Sequence, residues 1–170
     1  LELAGELAGE LADGVHLSIL TSVPYVRFAR RQIANGARRV GRNPEEIKIA
    51  AYLPIVVGRN VGRARAALRS LIAGYIGVMG NHPILVEAGM TPEQLQRFRE
   101  AAERGEDASE LVTEALVETF AVVGSPEKCT ERLQDYIGAG VHTLIAVEVP
   151  GIPMEETARG IAEHILPRLR

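Results

Sequence analysis

The chain has 170 residues, 46% of them hydrophobic, a formal net charge of −3 and a single cysteine. That length and apolar content suit one domain with a packed core and exclude a disordered chain, while the charge gives no electrostatic basis for nucleic-acid binding. One cysteine excludes an intrachain disulfide and points to a reducing, cytoplasmic setting; no apolar run reaches the ~20 residues of a membrane span, and no signal-peptide pattern is present.

Taken in order, residues 1–12 read as a helix with a tandem Leu-Ala-Gly-Glu. Leu3, Leu7 and Leu11 share one face, and Gly5 and Gly9 lie on a neighbouring one. The glycines each cost ~1 kcal/mol of helix propensity, which makes sense if that face approaches a sheet closely. Opening inside a helical pattern, the sequence reads as a piece of something longer. Asp13-Gly14 ends the helix and residues 15–20 form a short strand. Thr21 or Ser22 caps the next helix, which has Pro24 in its first turn and runs to about Val40. A loop through Pro44 and a short turn at Glu45 and Glu46 lead into a second strand over residues 47–57. Pro54 inside that strand cannot donate to a ladder and calls for a bulge or an early end.

Asn60 caps a third helix to about Ile76, and residues 77–89 read as irregular. Thr91-Pro92-Glu93 sets N-cap, proline and acid in the right order for a helix to Arg104, and another runs from Ser109 to about Glu118. The stretch 120–151 is the most informative. Ser125 is an N-cap with Pro126 at the first helical position. Cys129, Leu133 and Ile137 give the following helix one apolar stripe, and Gly138 and Gly140 stop it. Residues 141–149 are a nearly continuous apolar run, as expected of a strand covered on both faces. Pro150 and Gly151 end the strand, and a second amphipathic helix begins near Met154. This alternation is the unit of a parallel α/β protein. Gly14-Val15-His16 and Gly140-Val141-His142 both mark a helix-to-strand junction, an echo of the repeated modules of a (β/α)8 barrel.

Barrel active sites lie at the C-terminal ends of the strands, so Ser18, Leu20 and Thr21, then Pro54 and Ile55, then Glu148 and Pro150 are the positions for chemistry. Glu148 ends an apolar strand, where an unpaired carboxylate is costly to bury; it reads either as a contact to cofactor or substrate or as the partner of an arginine on a neighbouring loop. Ser18 and Thr21 offer hydroxyls to a ligand there, though Thr21 or Ser22 is also the helix cap. His16 and His142, at strand beginnings, read as structural, and His82 and His164 have no metal-ligand spacing around them. Cys129 reads as a small core residue. Gly58 to Gly62 follows a strand and opens a helix, but lacks the residues of a dinucleotide fingerprint or a P-loop. Arg38, Arg39 and Arg42 form a solvated face.

Three segments carry a resemblance: the helix with Leu-Ala-Asp-Gly before the first strand, Gly-Arg-Asn-Pro-Glu-Glu-Ile before Ile49-Ala50-Ala51-Tyr52, and Val123-Gly124-Ser125-Pro126-Glu127-Lys128-Cys129. Together they resemble the C-terminal half of luciferase-like monooxygenases, in particular the deazaflavin-dependent oxidoreductases of the methylene-tetrahydromethanopterin reductase type. The resemblance implies a partial (β/α)8 TIM barrel in which residues 1–170 are a single domain supplying about three parallel strands, roughly the sixth to eighth. It implies a deazaflavin coenzyme (F-420 type) or FMN, held mostly by a first half that would precede Leu1, with Ser18, Thr21 and Glu148 as cofactor contacts in this half. It further implies hydride transfer or monooxygenation on a small organic substrate. The chain alone is then expected not to be competent, and to pair with the missing half or with a second copy. A non-catalytic half-barrel module that acts by association with another chain is the alternative.

Overall fold

A computed structural model describes residues 2–58 and 61–169; the expected Asn60 cap lies outside the described residues. Four parallel strands alternate with helices. In chain order these are α1 (Glu2–Leu11), β1 (Gly14–Leu17), α2 (Val23–Arg39), β2 (Lys48–Val57), α3 (Val61–Met79), α4 (Pro83–Val86), α5 (Pro92–Glu103), α6 (Glu114–Phe120), β3 (Val122–Gly124), α7 (Pro126–Ala139), β4 (Thr143–Val147) and α8 (Met154–Gly160). The three expected strands are present and parallel. A fourth, β3, is a fully buried Val-Val-Gly that reads in the sequence as a connection.

β2 is the centre of the sheet. Gly14 to Leu17 pair with Lys48 to Ala51, and Thr143 to Val147 pair with Ala50 to Pro54. The two ladders overlap at Ala50 and Ala51, so β1 and β4 flank β2 on opposite edges. β3 continues along β2 at Ile55 to Val57. This arrangement accommodates Pro54 without a break. The N–H groups of Lys48 and Gly58 donate to Asp13 O (3.0 Å) and Gly124 O (3.1 Å), so residues of that parity face the β1 and β3 edge. Pro54 shares that parity and falls between Ala51, the last residue paired with β1, and Ile55, the first paired with β3. Its missing N–H therefore points where no strand waits for it.

The two faces of the sheet are unequal. Leu17, Ile49, Ala51 and Leu53 pack against Val26, Ala29 and Ile33 of α2 and Cys129, Leu133 and Tyr136 of α7. The other face carries His16, Ala50, Tyr52, Thr143, Ile145 and Val147, all exposed or half-exposed. The expectation of a β4 covered on both faces is therefore corrected: Thr143 is exposed and Leu144 to Val147 are half-buried, because among the described residues β4 pairs only with β2 and no element covers the face of Thr143, Ile145 and Val147. The sheet does not close.

A second apolar cluster joins α3, α5 and α6 to Leu20, Val56, Val123, Val149 and Ile152. These last residues lie at or just beyond the C-terminal ends of the strands, so the helices between β2 and β3 cap that end. Two local expectations also shift. The buried stripe of α7 is Cys129, Leu133 and Tyr136, while Ile137 is 44% exposed. Gly140 alone ends the helix, in the left-handed region at φ +112°. In α1 the glycines meet a helix rather than a sheet. A Cβ on Gly9 would lie 2.0 Å from Ile33 O, and one on Gly36 of α2 1.8 Å from Glu6 O. The leucine face of α1 points outward, with Leu3 and Leu11 about three-quarters exposed.

Candidate functional site

β1 ends at Leu17, three residues earlier than its apolar run suggests, and Ser18 is the first residue past it. Ile19 and Leu20 make a turn in which Leu20 is fully buried with φ +64°, a conformation that costs a non-glycine residue on the order of 1 kcal/mol. Two hydroxyls hold it there. Thr21 Oγ1 donates to Ser18 O at 2.5 Å, and Tyr136 Oη donates to Thr21 O at 2.9 Å. Ser22 is the N-cap of α2, its hydroxyl accepting from Tyr25 N–H at 3.3 Å. Thr21 is thus buried and committed to the turn, whereas Ser18 is exposed.

Ser18 opens onto a cleft of about 220 Å³ between α1, β1 and α2. Its walls are largely apolar, including Gly5, Ala8, Val15, Phe28 and Ile33, and its polar groups are His16, Ser18, Tyr25, Gln32 and His82. His82 comes from the connection between α3 and α4, where its Nδ1 accepts from Ile84 N–H at 3.2 Å and caps α4. Burial lowers the pKa of His82 and raises that of Tyr25, so both stay neutral near pH 7. An apolar cleft with a few converging polar groups is the usual form of a small-molecule site.

His16 is the third residue of β1, level with Ala50 and Thr143 and one step along the sheet from His142, so both histidines lie toward the start of β2 as expected. The His16 ring lies against Tyr52, centroids 4.0 Å apart at 47°, on the open face and at the rim of the cleft. The two Gly-Val-His junctions therefore enter the sheet at the same end, one step out of register, with His142 bonded to Ile49 and His16 on the open face.

Glu148 stands apart. It follows the last residue of β4, is exposed, and is not among the residues lining the cleft. Among the described residues it makes no ion pair, so the expected arginine partner is absent. A wider groove of about 750 Å³ on the outer helical layer is lined by Arg27, Arg30, Arg31 and Arg38 with Glu45, and Arg30 donates to both oxygens of Glu45. Arg39 pairs with Glu6 and Glu10, and Arg42 with Asp13, consistent with a solvated face. Cys129 is buried with its thiol pushed up to about 11 by desolvation. Among the described residues no group of three acidic, histidine or cysteine side chains could hold a metal, and no helix is long and apolar enough to cross a membrane.

A parallel half-sheet with its candidate cleft along β1 is the form in which the chain meets known proteins. The family model for luciferase-like monooxygenases matches residues 4–143. The chain belongs to that family. Over 164 residues it is 27% identical to the 5,10-methylenetetrahydromethanopterin reductase of Methanolobus tindarius, a match covering 95% of this chain and 50% of the relative. The structure of the coenzyme F420-dependent tetrahydromethanopterin reductase from Methanopyrus kandleri superposes with a TM-score of 0.83 at 26% identity, covering 100% of this chain and 49% of that one. The oxygenating constituent of 3,6-diketocamphane monooxygenase from Pseudomonas putida, in complex with FMN, shares the fold at a TM-score of 0.55 and 17% identity, over 98% of this chain and 46% of that one. This luciferase-like chain thus spans about half the length of the relatives it matches, and its open sheet corresponds to about half of their barrels.

Proposed function

We propose that this chain is the C-terminal part, one domain over residues 1–170, of a luciferase-like oxidoreductase that uses a deazaflavin of the F420 type to transfer hydride to or from a small organic substrate. The observation that carries this reading is the likeness, over its whole length, to a reductase that depends on coenzyme F420. FMN, with oxygen activation in place of hydride transfer, is the alternative cofactor. The cofactor supplies the redox chemistry, and the protein's part is to bind, orient and exclude water.

The cleft fits part of such a group. Its apolar walls suit a planar ring, and Ser18, Tyr25 and His82 offer neutral polar atoms to a ring edge. No lysine or arginine lines it, so it does not serve a phosphate. This agrees with a cofactor held mostly by the other half of the barrel. In this reading Ser18 contacts the ligand, Thr21 holds the turn that presents Ser18, and Glu148 lies beyond the end of β4, outside the cleft. The setting is the reducing cytoplasm.

A second reading, a non-catalytic half-barrel that acts by association, draws on the free outer edges of β1 and β4 and on the exposed leucine face of α1. Unpaired edges and apolar faces favour pairing with another chain under either reading. The test is to measure the mass of the purified chain in solution, titrate it with F420 and with FMN by absorbance, and then join it to the part of the Methanopyrus reductase that it does not match. The expected result is self-association, no tight cofactor binding and no turnover alone, with F420-dependent turnover in the joined protein. A joined protein that folds but binds neither cofactor refutes the oxidoreductase reading; a competent isolated monomer refutes the half-barrel one.

A further inference from the structure

We propose that the outer groove along α2 is a docking surface for an acidic segment of a partner protein, whose carboxylates are received by Arg27, Arg31 and Arg38. The groove, about 750 Å³, follows α2 from Arg27 to Arg38 and is bounded by Glu45 and by Gly138 and Ala139 at the end of α7. α2 carries five arginines and no acidic residue among its 17 residues, although acidic residues outnumber basic ones in the whole chain, 22 to 19. Spacings of three and four residues set Arg27 beside Arg30 and Arg31, where like charges destabilise a helix. On the α1 side Arg39 is paired with Glu6 and Glu10, and in the groove both oxygens of Glu45 hold Arg30. Arg27, Arg31 and Arg38 are exposed and make no ion pair among the described residues; Arg31 lies over the Phe28 ring, 5.9 Å from its centroid. Four guanidiniums thus face one carboxylate.

Position and chemistry narrow the occupant. α2 packs on the sheet between α1 and α7, so strands added at the sheet edges leave its outer face uncovered. The helix dipole accounts for Arg38 in the last turn, but not for Arg27 and Arg31 about one and two turns from the start. All the cations are guanidiniums, whose flat forks match the paired oxygens of carboxylates. No aromatic residue lines the groove, so it lacks the stacking platform of a single-stranded nucleic-acid site. The net charge of −3 opposes a duplex. Arg27 to Arg38 spans ~16 Å of helix, the length of about five extended residues, and a run of glutamates or aspartates supplies charges over that distance where a lone anion does not. This surface is separate from the cleft beside β1 and independent of its ligand.

The experiment titrates the whole chain with a fluorescein-labelled hexaglutamate peptide and, separately, with a labelled DNA duplex, following anisotropy at low salt and at about 150 mM salt. Three proteins are compared: wild type, the triple variant Arg27→Gln, Arg31→Gln and Arg38→Gln, and the control Arg159→Gln, which breaks a surface pair with Glu155 on α8. The expected result is saturable peptide binding that weakens with salt, is about tenfold weaker in the triple variant and is unchanged in Arg159→Gln. The triple variant should melt no lower than wild type, because repulsion within α2 is relieved. In ¹⁵N-labelled wild type, the amides of residues 27–38 and of Gly138 and Ala139 should shift with the peptide, a readout that needs no variant to fold. Absence of peptide binding, unchanged affinity in the triple variant, an equal loss in Arg159→Gln, or shifts confined to other surfaces each overturn the proposal. Tighter binding of the duplex through the same arginines overturns it in favour of a nucleic-acid partner.

Discussion

His142 and Ile49 are bonded twice. The backbone N–H of His142 donates to Ile49 O at 2.8 Å, and the His142 ring returns an acceptor, its Nδ1 taking the Ile49 N–H at 3.1 Å. The regular ladder begins one step later, at Ala50 and Thr143. The side chain thus satisfies a buried-strand donor where the backbone of the approaching chain is still turning away from Gly140. It works on the β4 edge of the sheet, across β2 from the cleft beside β1.

Removing that ring therefore affects folding and leaves the cleft alone. His142→Ala should lower the unfolding free energy by about 1 kcal/mol, the usual effect of orphaning a part-buried donor. The Ser18 amide signal, across β2, should not move. Urea unfolding and a comparison of amide spectra decide the matter. Unchanged stability would mean that the ring does not hold the Ile49 N–H.

The contact between α1 and α2 depends on the absence of Cβ atoms. In Gly36→Ala the new methyl would stand 1.8 Å from Glu6 O, and neighbouring backbone cannot yield that much without separating the helices. The ion pairs of Arg39 with Glu6 and Glu10 span the same interface and would lengthen together. Overpacking of this kind costs roughly 1–3 kcal/mol or more, against a gain in helix propensity of under ~1 kcal/mol. Gly36→Ala should therefore destabilise, whereas Gly74→Ala, which meets nothing within 4 Å, should be neutral or stabilising. Thermal melts of both variants test the contrast.

How much of the molecule is legible in its sequence depends on whether the determinant is local. Ser125 with Pro126 starts α7 and Gly140 ends it, each by a local signal, and Thr91 with Gln94 forms a full capping box. The three expected strands are apolar runs framed by glycine. What escapes is set by partners distant in sequence. β3 is a strand only because Ile55 to Val57 lie beside it. Pro54 is tolerated because two short strands leave a gap along one edge. Gly5 and Gly9 promise a close approach, but nothing in α1 says whether to a sheet or to α2. His16 and His142 look alike in sequence and differ by one residue of register, which moves a side chain to the other face of a sheet. In the candidate site Ser18 is legible from its place after an apolar run. His82 is not, because its cleft is assembled from α1, β1, α2 and the α3–α4 connection.

Cys129 should be inert in the native protein. Its thiol is buried beneath Val56 O, 3.8 Å away, and desolvation pushes its pKa up to about 11. The thiolate is the reactive form, so at pH 8 labelling requires both exposure and deprotonation. A thiol reagent should modify the chain at the rate of unfolding and reach its full extent in urea. Rapid labelling in native buffer would show that α7 does not cover the sheet as described.

Tyr136 ties the far side of the molecule to the turn that presents Ser18. It is fully buried, and its hydroxyl donates to Thr21 O at 2.9 Å, with Thr119 O at 3.4 Å. Tyr136→Phe keeps the ring and leaves a buried carbonyl without its donor, so stability should fall by about 1–3 kcal/mol. Leu20, freed from one of its two restraints, should relax from its left-handed conformation, which a change in the Leu20 amide signal would report. Alkaline pH provides a second handle. Burial raises the phenol from 10.0 to about 12, so between these values the unfolded chain loses a proton that the folded one retains. Stability must then decrease as pH rises through that window, with a limiting slope of roughly 1.4 kcal/mol per pH. Tyr136→Phe should be the less stable protein at pH 8 and should show a shallower decline above pH 10. Parallel slopes for the two proteins would mean that the hydroxyl ionises freely and that the turn is held by Thr21 alone.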